Sequence, residues 1–512
     1  MNNLNFRKQV PRNLLINLFS FVSTLLIGLW LTPYLLKSLG IIAYGLIPLA
    51  MFFSQYVGVI LNAINMSINR FLLIHLQKKE DKEANEIFNT SLIIICVFVL
   101  LQSVVMGIII FDLTFFFTIE KSLLDDAMWL FGLTFIGFSI SLFRSIFGTP
   151  LFAYNRLDIL RMIDIFQNVI RVITIITLFF YDEPSLKYIG VANLLSAISA
   201  VTPTLYYFKI YTPQLKINFS FFSRKRVSEL SKMSIWILVN QVGVLLLGNI
   251  DLYLVNTLLG SRSTGEYAII GQITSLFKTL ITLVAGIISP VIMIYYANNE
   301  LEKLKKIVIL ASKGMIIIMI IPLVITISLS EDLLNLWLGS SYKYLHTIIS
   351  FSLLFYIITI AIIPLFNVTI AYNKVKLPAI IAIALGVVNI IGVYLLIKYT
   401  ELGLWSIVII KLLSEIIFSI FMVIYVSRIL SMNVISLLKI PIISIIIFSI
   451  NYMLIFLYKE YINMDLFSNI IILVILLVFI LLPFIFLSIF SKEEKQLLMK
   501  TNKVKTFKWG LK

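Results

Sequence analysis

Apolar runs, each long enough to cross a bilayer at about 20 residues, follow one another along the whole chain with only short polar breaks between them. Their approximate cores are 12-36, 42-68, 89-111, 124-147, 159-181, 187-208, 233-259, 265-294, 306-329, 345-370, 377-398, 402-426, 435-458 and 466-490, about fourteen spans in all. Inside several runs the polar residues recur at spacings of three and four, which places them on one helical face. Gly271, Thr274, Ser275, Lys278, Thr282, Ala285 and Ser289 make such a stripe in the eighth run, around a single lysine. The seventh run carries Asn240, Gly248 and Asp251, the second carries Gln55, Gly58, Asn62, Asn65 and Asn69 ahead of Arg70, and the first carries Asn13, Asn17, Ser20, Thr24 and Gly28. The pattern predicts an all-α polytopic membrane protein whose polar stripes face a shared interior rather than lipid.

Ionisable groups within these runs need a physical reason, because one near the middle of a membrane costs at least about 2.5 to 3.5 kcal/mol. With a turn expected near Thr264, Asp251 and Lys278 fall at similar depth. They serve either as an ion pair or as groups lining a pathway, and the two roles are compatible. Asp164, Asn168 and Arg171 share a face of the fifth run, where an internal Asp164 to Arg171 pair is one reading. Lys411 and Glu415, one turn apart in the twelfth run, are positioned to neutralise each other. The charged segment from Gln77 to Phe88 reads as a solvated surface turn.

The chain also restarts. The register that lays Leu39-Gly40 on Leu259-Gly260 also lays the second-run stripe on Ser275, Lys278, Thr282, Ala285 and Ser289. Closely similar registers lay Ala153-Tyr154-Asn155-Arg156 on Ala371-Tyr372-Asn373-Lys374 and set Ile189-Gly190-Val191 against Leu402-Gly403-Leu404. The order predicts two six-helix parallel repeats forming two lobes, plus two extra C-terminal helices. The expected divisions are an N-terminal lobe at 1-215, an interfacial cytoplasmic linker at 216-232, a C-terminal lobe at 233-430, the added helices at 431-490 and a basic tail at 491-512.

Composition narrows the function. Of 512 residues, 60% are hydrophobic and only 13% charged, against about 25% charged in soluble proteins. The net charge of +16 does not point to nucleic acid, because the basic residues cluster on alternate connections. The other connections each carry one, at Lys37, Lys121, Lys187, Arg262, Lys343, Lys398 and Lys459. The positive-inside rule then places both termini in the cytoplasm. The first run is too long for a signal-peptide core, lacks a small-residue cleavage site and is expected to be retained. Cys96 has no cysteine partner, and with 2 His and 1 Cys no zinc site is readable. No glycine loop ending in Lys-Ser or Lys-Thr is present for phosphate, and nothing resembles an activated nucleophile, so neither cofactor nor enzyme activity is expected. A membrane polymerase or glycosyltransferase would be expected to show a large outer loop or a carboxylate-rich one; the nearest, Glu120 to Asp126, is short and includes Lys121.

Leu39-Gly40 with Tyr44-Gly45, Ala153-Tyr154-Asn155-Arg156, Asn249-Ile250-Asp251, and Leu259-Gly260 with Gly265-Glu266-Tyr267-Ala268 give the chain a family likeness. It resembles the Wzx-type polysaccharide-export flippases, in the superfamily that also holds the MATE multidrug exporters and the lipid II flippases. The resemblance covers nearly the whole chain. It implies a bacterial inner-membrane protein that moves an undecaprenyl-pyrophosphate-linked oligosaccharide between leaflets by alternating access, for O-antigen or capsule. It also implies a central cavity lined by spans 1, 2, 7 and 8.

In such a cavity Gln55, Asn62, Asn65, Asn240, Thr274 and Thr282 suit sugar hydroxyls, and Lys278 with Arg70 suits pyrophosphate. Arg171 and Lys411 are second candidates for substrate, and Asp251 is a candidate cation or proton site for coupling. The implied partners are membrane lipid, the lipid-linked oligosaccharide and polysaccharide polymerase or assembly proteins. The alternative function is a multidrug or organic-cation antiporter of the same fold.

Overall fold

The computed structural model describes residues 3–248 and 250–461, together with 468, 472, 473 and 475, and every regular element among them is helical. The expected span 466-490 and the basic tail lie outside the described residues, apart from those isolated positions. In order, the helices are α1 (Asn3–Lys78), α2 (Asp81–Phe111), α3 (Leu113–Phe116), α4 (Leu124–Ala153), α5 (Leu157–Tyr181), α6 (Leu186–Tyr211) and α7 (Arg224–Gly248). They continue with α8 (Asp251–Ala297), α9 (Leu301–Ser328), α10 (Ser330–Leu338), α11 (His346–Ala371), α12 (Lys376–Tyr399), α13 (Trp405–Leu430) and α14 (Val434–Tyr461). Among the described residues 11 helices are long and apolar enough to cross a membrane. Two of those, α1 and α8, are each a pair of helices joined at a glycine, Gly40 and Gly260.

Those two glycines have φ/ψ of 78°/168° and 85°/−177°, a region essentially closed to residues with a Cβ. The turn expected near Thr264 is therefore at Gly260. Thr264 is buried within the helix instead, donating to the Gly260 carbonyl at 2.8 Å. In the seventh run, Ile250 lies in a turn just before α8 starts at Asp251. Other left-handed residues recur in the register of the repeat: Lys79 (φ 59°) follows α1 as Asn299 (φ 55°) follows α8, and Asn155 (φ 57°) closes α4 as Asn373 (φ 52°) closes α11.

The described chain divides into two compact units, Met1–Ile269 with Ala382–Leu404, and Ile270–Ile381 with Trp405–Lys512. In the first, α4 and α6 pack backbone to backbone. A Cβ at Gly137 would lie 3.1 Å from the Asn193 carbonyl oxygen, and one at Gly190 would lie 3.0 Å from that of Trp129. Small residues allow such approach where lipid gives helices no hydrophobic reason to associate. In the second unit α11 is the central helix, with Leu353, Ile360, Leu365 and Val368 at 1% exposure or less. Ser444 on α14 donates to its Ile357 carbonyl at 2.6 Å.

The segment expected as a solvated turn, Gln77 to Phe88, turns at Lys79 and Glu80 with Lys78, Asp81 and Lys82 exposed, but from Asp81 onward it opens α2, whose Asn85 and Phe88 are buried. The reason is the connector 212–223 between α6 and α7. Asn85 donates to the Gln214 carbonyl (3.0 Å) and accepts from the Lys216 N–H (2.8 Å). One turn on, Asn89 donates to the Lys216 carbonyl (2.8 Å) and accepts from the Asn218 N–H (2.8 Å). Thr90 accepts from the Ser223 N–H at 3.1 Å. Side chains on one helix face thus satisfy the backbone of an extended segment much as a neighbouring strand would.

Asn89→Ala removes two of these bonds, and each orphaned group costs about 1 to 3 kcal/mol. The expected result is faster trypsin cleavage at Lys216 and at Arg224 to Arg226, with the rest of the protein resistant; an unchanged digestion rate contradicts the clamp.

Candidate functional site

The intramembrane charges of the second unit converge. Lys278 on α8 and Lys411 and Glu415 on α13 lie close enough to act on one another through charge. Glu415 accepts from the Thr359 hydroxyl at 3.4 Å, and the Lys411 ammonium lies 5.9 Å from the centre of the Phe355 ring. Lys411 is the larger charge acting on Glu415, in keeping with their i,i+4 spacing, and Thr359 and the charge of Lys278 act on it as well.

Tyr356, also on α11, donates to the Thr274 carbonyl at 2.9 Å and stacks on Phe277, which holds α8 against α11 beside the cluster. Lys278, Ser275, Thr279 and Thr282 lie on the exposed face of α8. The Thr282 hydroxyl donates to the Lys278 carbonyl at 2.7 Å and that of Thr274 to the Gly271 carbonyl at 3.1 Å, so each keeps its lone pairs for another donor. The patch carries two ammonium groups that can donate to an anion, and one carboxylate and a row of hydroxyl lone pairs that can accept from sugar hydroxyls.

Asp251 belongs to a different environment. It is 1% exposed and accepts from the Tyr267 hydroxyl at 3.1 Å and the Asn389 amide at 3.0 Å, on α8 and α12. The turn at Gly260 leaves Lys278 twice as far from it along the chain as Asp251, rather than the similar distance expected from a turn near Thr264. Asn389, a lone amide in an otherwise apolar helix, is the sequence signal for this contact.

Just beyond Asp251, the hairpin around Gly260 joins the first repeat. Asn256, fully buried, donates to the Thr118 carbonyl (3.1 Å) and accepts from the Thr118 N–H (2.9 Å), and Ser261 donates to the same carbonyl (2.7 Å). Gly45 and Gly265, equivalent positions of the two repeats, cross at backbone contact: a Cβ on Gly265 would sit 2.1 Å from the Ile41 carbonyl oxygen.

The other candidates are dispersed. Asn65 donates to Ser145 on α4 at 3.2 Å, an interhelical bond. Arg70 is exposed on the second half of α1. The side chains of Gln55, Asn62 and Asn240 lie outside the described residues. Asp164 pairs with Arg144 (3.0 Å) and Arg161 (3.3 Å) and not with Arg171, whose position two turns further along α5 carries it away from the carboxylate. The Arg171 Nε is buried with no hydrogen-bond partner among the described residues.

The first-run stripe is structural at its start. Asn13 donates to the Asn155 carbonyl (3.0 Å) and accepts from the Asp158 N–H (3.1 Å), and Asn17 accepts from Arg161 (2.9 Å). Asp158, fully buried, also binds Arg12 and Arg156, each at 3.0 Å.

A family model described as polysaccharide biosynthesis protein matches residues 10–296. The Bacillus subtilis (strain 168) protein described as uncharacterized membrane protein EpsK is 29% identical over 414 residues, 81% of this chain and 82% of that one. Lipid II flippase MurJ in an inward closed conformation is similar in structure, with a TM-score of 0.68 at 17% identity over 94% of this chain and 99% of that one. An inward-facing multidrug resistance MATE family transporter of the MOP superfamily gives 0.66 at 16% identity over 82% and 96%. At such identities the likeness to both structures is one of fold.

Proposed function

Because this multi-pass membrane protein belongs to the polysaccharide biosynthesis protein family and has the MATE/MurJ-like fold of transporters rather than enzymes, we propose that it is a flippase for a lipid-linked oligosaccharide. Its cargo is an undecaprenyl-pyrophosphate-linked repeat unit, moved by alternating access from the cytoplasmic to the outer leaflet of a bacterial inner membrane for O-antigen or capsule. The observation that carries the reading is the positive excess of the Lys278, Lys411 and Glu415 cluster, set among hydroxyls on α8. Lys278 and Lys411 meet the pyrophosphate while Thr274 and Thr282 meet sugar. Arg70, Arg171 and the amides of Gln55, Asn62, Asn65 and Asn240 are proposed further contacts. The product suits a polymerase or assembly protein on the outer side.

The fourteen-span topology with both termini cytoplasmic is part of the proposal. Opening α1 at Gly40, and joining 251–259 to α7, turns the 11 candidate spans into thirteen, with 466-490 as the next. The side-chain contacts suit this alternation. Lys459 bonds Asp332 and Lys343 bonds Glu331, all from connections assigned to the outer side, while Arg226 bonds Glu86 among those assigned to the inner side.

Deleting the gene in its source bacterium tests the function. The expected result is loss of surface polysaccharide with lipid-linked oligosaccharide accumulating in the inner leaflet. Intact polysaccharide with raised sensitivity to organic cations would favour an organic-cation antiporter instead.

That second reading draws on Asp251, a buried carboxylate that accepts from the Tyr267 phenol and the Asn389 amide. In the flippase the same group is the proposed coupling site. Asp251→Asn keeps the shape and removes the charge. The expected result is transport that no longer rises with an imposed proton or sodium gradient, while gradient-free exchange persists; a gradient response equal to wild type removes Asp251 from coupling.

A further inference from the structure

The connector 212–223 is fixed to the protein on one side and bare on the other. Leu215 is 5% exposed and packs with Phe208 and Leu230, beside the Asn85, Asn89 and Thr90 clamp. The opposite side presents Ile217, Phe219 and Phe222 at 58%, 63% and 41% exposure. Lys216, Arg224 and Lys225 are exposed around them and make no ion pair among the described residues. Arg226, by contrast, turns inward to Glu86 (3.2 Å) and Glu229 (2.8 Å), which occupies those two carboxylates.

Apolar side chains of this size are held out of water only if something covers them. Nothing in a flexible linker would require two buried asparagines to hold its backbone at a set height. Bulky apolar residues ringed by bases are the composition of a segment lying in the headgroup layer of an anionic leaflet.

We propose that this connector is a docking surface for the headgroups of anionic phospholipids. Ile217, Phe219 and Phe222 enter the interface, while Lys216, Arg224 and Lys225 bind lipid phosphates. The clamp on α2 sets the depth. Asn85 and Asn89 have no counterpart in the second repeat, where Lys305 and Ile309 stand at the equivalent positions, as expected if the device serves a connector that occurs once. The inference goes beyond the transport reading and needs only the connector's place at the membrane surface.

The test is a spin label at Ser220→Cys in a Cys96→Ser background, in full-length protein reconstituted into vesicles of phosphatidylcholine alone or with phosphatidylglycerol. Collision with a water-soluble nickel relaxant is read against a label at Asn298→Cys, in an exposed turn. A basic residue near an anionic surface shifts the bound fraction by roughly fivefold. Protection of position 220 is therefore expected with phosphatidylglycerol, and is expected to fall toward the reference in phosphatidylcholine and in Lys216→Gln/Arg224→Gln/Lys225→Gln. Accessibility equal to the reference in both lipids overturns the proposal. So does protection that is the same in both lipids and indifferent to the triple substitution, which would mean cover by protein or apolar insertion alone.

Discussion

Gly265→Ala destabilises the folded protein by about 3 kcal/mol or more, at the upper end of what overpacking costs. The new methyl carbon would stand 2.1 Å from the Ile41 carbonyl oxygen and 2.6 Å from the Ile41 Cγ1. A side chain can rotate away from such a clash, but a helix carbonyl cannot. The two helices must separate, and with them the bonds that Asn256 and Ser261 make to Thr118 a turn away. The gain of up to about 1 kcal/mol from replacing a helical glycine does not offset this.

Gly271→Ala in the same helix is the control, since nothing lies within 4 Å of its added carbon. Thermal unfolding in detergent is expected to show a large drop for Gly265→Ala and no loss for Gly271→Ala. Equal midpoints would mean that the backbones at Gly45 and Gly265 do not touch.

Lys278→Ala is the second large effect, and it falls on transport. A charge-assisted hydrogen bond to phosphate contributes about 1.5 to 3 kcal/mol, so its loss lowers leaflet exchange by roughly tenfold to a hundredfold. Lys278→Arg keeps the charge and is expected to retain most of the rate. Lys411→Ala lowers it as well, because it leaves Lys278 facing Glu415 alone and cancels the positive excess. Size-exclusion profiles matching wild type separate these losses from misfolding. Full exchange by Lys278→Ala would remove the cluster from the path of the headgroup.

Much of the fold is legible because the bilayer imposes one rule: an apolar run of about 20 residues has to become a helix. Helix ends are less legible. Polar residues such as Gln9 and Asn85 continue their helices past the apolar core, since their side chains find partners on Asp158 and the connector backbone. The turn between the seventh and eighth spans falls about one helical turn before its expected place, because serine and threonine around Thr264 look more turn-like than a lone Gly260 does.

Charge partners depend on packing between distant segments, which periodicity does not carry. Asp164 finds Arg144 from the preceding helix rather than Arg171 on its own. Asp251 finds Asn389, far along the chain in α12. Lys411 is visible in the sequence one turn from Glu415, and Lys278 as a lone charge in its apolar run, yet only the fold brings Lys278 to the same carboxylate.

The most direct test of the flippase is leaflet exchange of a fluorescent undecaprenyl-pyrophosphate oligosaccharide in proteoliposomes holding the wild-type protein, measured against protein-free vesicles. Exchange in the proteoliposomes that is lost in Lys278→Ala is the expected result. No exchange above the protein-free rate, from protein that drives proton-linked efflux of organic cations in the same vesicles, would contradict it.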